Sequence, residues 1–225
     1  MTNRVDPRQI GHLVLLGHPA PGSFNHSMAM AYCAAVSACG QSATLRDLYA
    51  TGFNPLLGAD ELPDIAGFAP ADDVAAELDL IRASEVITLV YPIWFGMPPA
   101  IIKGYVDRVL GAGFAARDIK AGTRHPFLHG KRLVILSSSA ATRPWLDEKG
   151  QWESLRQAFD AYLTAIFSLR DCDHLHFDSV VSGLGAQIIR EDIALVEAQA
   201  RKTCSTILAE HHAAQTAEIR ARRAS

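Results

Sequence analysis

Two short segments carry residue types suited to binding chemistry. The first reads Gly17-His18-Pro19-Ala20-Pro21-Gly22-Ser23-Phe24-Asn25 and feeds a helical pattern. Free backbone N–H groups and the positive end of a helix make such a turn an anion site. Ser23 and Asn25 can donate from hydroxyl and amide, and His18 from a ring nitrogen in either charge state. Together they suit a phosphate or pyrophosphate. Ser23 or Asn25 can equally serve as a helix cap, and His18 can satisfy a loop carbonyl. The segment matches neither G-x-G-x-x-G nor the P-loop pattern, and no G-x-S-x-G occurs in the chain.

The second segment runs from Tyr91-Pro92-Ile93-Trp94-Phe95 through Pro98 and Pro99 to Val109. Aromatic side chains on a proline-stiffened loop offer a stacking wall to a flat ligand, with backbone N–H groups for its polar rim. Core packing is the competing role for Trp94 and Phe95. Lys103 and Asp107 stand four apart on the following helix and read as a surface ion pair.

Strands must present these segments. A continuous apolar run at Ile10–Leu16 suits a strand buried on both faces, and Val86–Tyr91, apolar apart from Thr88, and Arg132–Ser137 read as strands as well. Ser42–Leu48 and His174–Val181 read as two more. Helical patterns occupy Asn25–Ser37, Asp72–Ala83, Ala100–Leu110, Glu153–Leu169 and Glu191–Glu210, with Arg220–Ser225 as a frayed basic tail. Thr51–Gly67, Gly111–Gly130 and Ser138–Gly150 read as irregular. Strands alternating with helices imply right-handed crossovers and an α/β three-layer sandwich. Five strands fit a parallel sheet in the flavodoxin-like order 2-1-3-4-5. Ligands of such sheets sit at the carboxyl ends of the strands, where the loops 17–24, 92–99 and 138–150 meet.

Composition narrows the class. The 225 residues carry 21 Lys+Arg against 24 Asp+Glu, a net charge of -3. That balance disfavours a dedicated nucleic-acid binder. No apolar run reaches the length of a membrane span, and the polar start Met1–Gln9 lacks a signal peptide's apolar segment. Cys33, Cys39, Cys172 and Cys204 form no zinc spacing and read as free thiols. The expectation is one cytoplasmic domain over residues 1–225, with no metal.

The segments resemble the flavodoxin-like NAD(P)H:quinone oxidoreductase family. The likeness rests first on His18-Pro19 with Ser23-Phe24-Asn25. It continues in Arg46-Asp47-Leu48-Tyr49 with Gly52-Phe53-Asn54-Pro55, and in Tyr91 through Phe95 with Pro99-Ala100, Lys103-Gly104-Tyr105 and Asp107-Arg108-Val109. It closes with Gly113-Phe114-Ala115 and Leu128-His129-Gly130-Lys131-Arg132. These cover about residues 10–140.

The resemblance implies a flavin, with FAD favoured over FMN, and NAD(P)H as hydride donor. It implies that His18, Ser23, Phe24 and Asn25 hold the flavin phosphates. Pro92, Ile93, Trp94 and Phe95 would line the ring. Ser138, Ser139, Ala140 and Ala141, on the loop after strand four, would add contacts. A homodimer with the site at its interface and a small quinone as acceptor are implied as well. Alternatives on the same fold are a non-catalytic or regulatory flavoprotein and an azo or nitro reductase.

One stretch departs from the family pattern. The family's strand-four loop usually reads Thr-Thr-Gly-Gly, and here Ala140 and Ala141 replace the glycines, which makes positive φ less accessible. Better-known members carry a Tyr and a His soon after that loop, where this chain has Trp145, Leu146 and Trp152. Arg143 is the candidate for stabilising negative charge on the reduced ring.

Overall fold

The computed structural model describes residues 10–65 and 67–224; the N-terminal arm Met1–Gln9 lies outside them. Five strands make one parallel sheet in the order β2-β1-β3-β4-β5. They are β1 (Gly11–Leu16), β2 (Ser42–Asp47), β3 (Val86–Pro92), β4 (Arg132–Ser138) and β5 (Asp171–Phe177). The three central strands are buried almost throughout, as their apolar runs require. The two edge strands are mostly half-buried or exposed, which suits their polar sequences Ser-Ala-Thr-Leu-Arg-Asp and Asp-Cys-Asp-His-Leu-His-Phe.

Successive side chains of a strand point to opposite faces, so each strand feeds two cores. On one face, Leu13, Leu15, Leu89 and Ile135 pack against α2 (Asp72–Arg82), α3 (Ala100–Tyr105) and α7 (Tyr162–Ile166). On the other, Val14, Leu16, Val90 and Leu136 pack against α1 (Phe24–Ala38) and α8 (Ala186–Ala224). The result is the expected three-layer sandwich.

Several boundaries differ from the sequence expectation, each for a local reason. The helix after β3 ends in a π-helical turn, Val106–Leu110. Residues 111–130 contain the short helix α4 (Ala116–Lys120). The segment read as a loop after β4 contains α5 (Arg143–Glu148). Thr142 caps it by accepting from the Trp145 N–H at 3.4 Å, with Pro144 in its first turn. Instead of one helix over 153–169, α6 (Gln151–Leu155) passes through a π-helical stretch, Arg156–Ala161, into α7. β5 starts earlier than expected and stops at Phe177, not Val181.

The expected end of the last helix at Glu210 and the frayed tail from Arg220 are both corrected. α8 begins at Ala186 and runs to Ala224. Residues after Glu210 include no Gly or Pro and are rich in Ala and Arg, so nothing stops the helix.

The long connection 51–71 is held by one buried cation. The Arg108 guanidinium donates to both Glu61 carboxylate oxygens, to Asp73 and to the Asn54 carbonyl. Lys103 and Asp107 form the expected surface pair, Nζ to Oδ2 at 2.7 Å.

Candidate functional site

The loops after β1, β3 and β4 meet at the carboxyl edge of the sheet. There they enclose a hollow of about 200 Å³ lined by His18, Ser23, Phe24, Asn25, Pro92, Ile93, Trp94, Ser138, Ser139, Ala140 and Val180. Ten of these residues were singled out from sequence. Val180 was not: it follows β5, and its role depends on sheet order. Phe95, Ala141 and Arg143 do not line the hollow.

The α1 end of the hollow is built for an anion. Ser23 caps the helix, its Oγ accepting from the His26 N–H at 3.2 Å, so the capping role is real. The hydroxyl hydrogen remains available to donate. Asn25 is buried. Its Oδ1 accepts from the Ser138 hydroxyl at 3.0 Å, and its Nδ2 finds no partner among the described residues. A buried amide without a partner costs free energy that a bound acceptor would recover. His18 Nδ1 accepts from the Ala20 N–H at 3.1 Å. Burial holds this ring below the ordinary imidazole pKa, so it is neutral, and its remaining Nε2–H is the donor.

A tight turn builds the wall of the hollow. Trp94 and Met97 exchange backbone bonds of 3.0 and 3.1 Å, and the two residues between them, Phe95 and Gly96, have φ of 49° and 83°. Consecutive positive φ values are the signature of a type I′ turn. Gly96 is the natural residue there; Phe95 accepts left-handed strain of about 1 kcal/mol. The Gln151 side chain locks the turn by donating to the Gly96 carbonyl at 3.1 Å. Trp94 keeps two fifths of its surface exposed and stands 5.9 Å from the His18 ring, tilted against it. Phe95 sits at the tip, fully exposed and outside the hollow.

The β4 loop forms the floor. The Ile93 N–H donates to the Ser138 carbonyl at 2.6 Å, and the Ser139 hydroxyl donates to the Ala141 carbonyl at 2.7 Å. Ala140 and Ala141 are not among the positive-φ residues. The alanines that replace the family's glycines therefore impose no backbone strain.

Arg143 lies beside the site, not in it. Its guanidinium sits 4.0 Å above the Trp152 ring and pairs with Asp147 at 3.0 Å. It lines a neighbouring cleft with His176 and Asp178. Behind the floor runs a buried polar network that sequence reading missed: Asp160, His174, Ser137 and His176. β5 was read only as a strand; its two histidines stand two apart and so share one face of the sheet with Ser137, which pairs with His176 in register.

The hollow fits the isoalloxazine edge and first phosphate of a flavin. It offers anion donors at a helix N-terminus, an indole face and backbone groups on a rigid loop. Among the described residues no cluster of His, Cys, Asp and Glu could hold a metal ion. No described helix is long and apolar enough to cross a membrane.

Comparison with known proteins agrees. The family described as flavodoxin-like fold matches residues 11–202, well past the reach of the sequence resemblance. An NAD(P)H oxidoreductase of Haemophilus influenzae is 29% identical over 202 residues, covering 89% of this chain and 93% of that protein. NAD(P)H dehydrogenase [quinone] 1 of Rattus norvegicus is 31% identical over 147 residues. That match covers 57% of this chain and 53% of the relative, so it spans about half of that protein.

Among solved structures, the NAD(P)H:quinone oxidoreductase from Methanothermobacter marburgensis superposes with a TM-score of 0.75 at 24% identity, covering 85% of this chain and 98% of that one. An FMN-dependent NADH-azoreductase from Bacillus anthracis, solved with FMN, gives 0.65 at 14% identity, covering 86% and 99%. Both share the fold. The chain belongs to the flavodoxin-like fold family, and its named relatives are NAD(P)H oxidoreductases and quinone dehydrogenases.

Proposed function

We propose that this chain is a flavin-dependent NAD(P)H:quinone oxidoreductase. The observation that carries the reading is the convergence, in one hollow, of the unpartnered Asn25 amide, the His18 Nε2–H and the half-exposed Trp94 face. The names of the relatives supply the reaction class. When bound, the flavin would accept a hydride from NAD(P)H and pass it to a quinone.

The chain's own residues bind and orient. His18, Ser23 and Asn25 donate to the phosphate at the positive end of α1. Ile93 and Trp94 flank the ring, and the Gln151-locked turn holds them in place. The β4 loop brings Ser138 and Ser139 under its edge.

The sequence resemblance favours FAD. We take FMN, because the residues of the hollow account for a ring and one phosphate and no group is assigned to adenine. The FMN in the Bacillus anthracis neighbour is consistent with that choice. Azo compounds are a second acceptor class, suggested by the same neighbour. A purely regulatory role loses its motive, since the alanine substitutions in the β4 loop carry no strain.

An apolar groove of about 410 Å³ lies next to the site turn, lined in part by Leu57, Met97, Val106, Ile119 and Tyr162. Met97 belongs both to this groove and to the turn that carries Trp94. We assign the groove to a second copy of the chain and so read the site as lying at a homodimer interface. The four cysteines are free, in keeping with a reducing, cytoplasmic setting. Steady-state oxidation of NADH and NADPH with a simple quinone tests the activity. Bound flavin without turnover would overturn it.

A further inference from the structure

At the end of α1 the chain turns beside α8 and brings two thiols together. Cys39 closes α1, its N–H donating to the Ala35 and Val36 carbonyls at 3.1 and 3.0 Å. Gly40 takes the turn with φ of 78° and leads into Gln41. The buried Gln41 amide clamps α8, its Nε2 donating to the Cys204 carbonyl at 3.0 Å. Beside this clamp the Cys204 thiol hydrogen-bonds with Cys39. Cys204 is buried in the α1–α8 core, and Cys39 packs against the same core half-buried.

The groups around Cys204 fix where its hydrogen points. Gln41 spends its Nε2–H on α8, so its Oε1 accepts from His12 Nε2–H at 2.9 Å. His12 Nδ1 then accepts from the Tyr32 hydroxyl at 3.2 Å. Burial lowers the pKa of this ring, so it is neutral and keeps the one tautomer. Its Nε2–H also faces the Cys204 sulfur, at 3.9 Å. With a donor on that side, the hydrogen of Cys204 turns to the Cys39 sulfur. Burial pushes the Cys204 thiol up to about 12, and Cys39 beside it adds to the shift. Cys204 thus stays a thiol, while Cys39 is the sulfur that meets solvent.

We propose that Cys39 and Cys204 form an oxidation site, at which a hydroperoxide closes an intrachain disulfide that braces α1 against α8. The Cys39 sulfur attacks one peroxide oxygen and the O–O bond breaks. Cys39 becomes a sulfenic acid, and the departing oxygen takes the Cys39 proton and leaves as water. The Cys204 sulfur then attacks the Cys39 sulfur and the S–O bond breaks. The hydroxyl leaves with the Cys204 proton as a second water. Two thiols are oxidised by two electrons and one hydrogen peroxide is reduced to two waters.

The surroundings suit that outcome. Neither His12 nor Gln41 depends on the thiol hydrogens, so their bonds survive the reaction. Cys172 packs on the other face of the sheet and does not compete. The two sulfurs are separated by roughly 160 residues of chain, and closing so long a loop restricts the unfolded state strongly. Ser23 and Asn25 stand at the opposite end of α1, about 22 Å away, so this site is separate from the hollow.

The test reads the bond itself. Hydrogen peroxide added to reduced protein should remove about 2 Da from its mass, the two thiol hydrogens. Digestion without reductant should recover one linked peptide pair, joining Cys39 to Cys204. The oxidised protein should melt several degrees higher, and dithiothreitol should reverse both changes. Cys39→Ser should abolish the cross-link, and Cys204→Ser should leave Cys39 as a sulfenic acid that dimedone traps. If Cys204→Ser does not fold, the wild-type map and Cys39→Ser decide. An unchanged mass, a cross-link through Cys33 or Cys172, or oxygen added to Cys39 with Cys204 still a thiol overturns the proposal. A cross-linked protein that melts no higher overturns the bracing role.

Discussion

Ser138 at the end of β4 donates to Asn25 Oδ1 in the first turn of α1 across 3.0 Å, and this bond leaves the buried Nδ2 as the amide's free end. Two loops separated by more than a hundred residues are thus joined by the group that would also meet the ligand. Asn25→Ala should weaken flavin binding by roughly tenfold to a hundredfold, the cost of a buried amide's bond to a charged acceptor. Quenching of flavin fluorescence on titration measures it. Unchanged affinity would remove Asn25 from the anion site.

The turn at Phe95 and Gly96 is conformationally demanding. Gly96 has φ of 83°, and a Cβ there would run into the Gln151 amide. Gly96→Ala should cost about 1–2 kcal/mol of stability and weaken ring binding, because the turn carries Trp94. Gln151→Ala removes the obstruction and should recover part of the loss in the double variant. Thermal melting of the four proteins as a cycle checks the coupling.

The fold was largely legible because each central strand carries a short apolar run, Leu13–Leu16, Leu89–Tyr91 and Leu133–Leu136, and these alternate with longer helical patterns. The anion turn was legible from local spacing: His18, Ser23 and Asn25 fall within eight residues. Two things were not. α5 was hidden because its start signals, Thr142 and Pro144, sit within a stretch that reads as loop. The His174–His176 network was hidden because it joins β4, β5 and the stretch before α7, and only sheet order brings these together. Arg143 drew attention as the nearest cation in sequence, yet Trp152 and Asp147 hold it aside.

Arg143 still acts on the network at a distance. Its positive charge disfavours a proton on His176. Arg143→Ala should therefore raise the pH at which His176 titrates and leave flavin bound. A side-chain NMR titration of wild type and variant reads the sign. A shift to lower pH would contradict the arrangement.

The connection 51–71 should be acid-sensitive. The Arg108 guanidinium holds the Glu61 and Asp73 carboxyls below their ordinary values, chiefly by hydrogen bonding. Depressed carboxyls stabilise the fold above their unfolded values, near pH 4, and that contribution is lost as pH falls through the folded ones. Arg108→Met should cost about 1–3 kcal/mol at neutral pH, because Glu61 and the half-exposed Asp73 lose their shared charged donor. It should also flatten the loss of stability between about pH 5 and 3. Denaturant unfolding across that range checks both.

The central claim is that this hollow holds a flavin. Purified protein, saturated with FMN or FAD and freed of excess, should release one flavin per chain on denaturation, identified by chromatography as FMN. FAD at the same stoichiometry would correct the choice of flavin and keep the site. Protein that retains neither flavin under any loading condition would contradict the account.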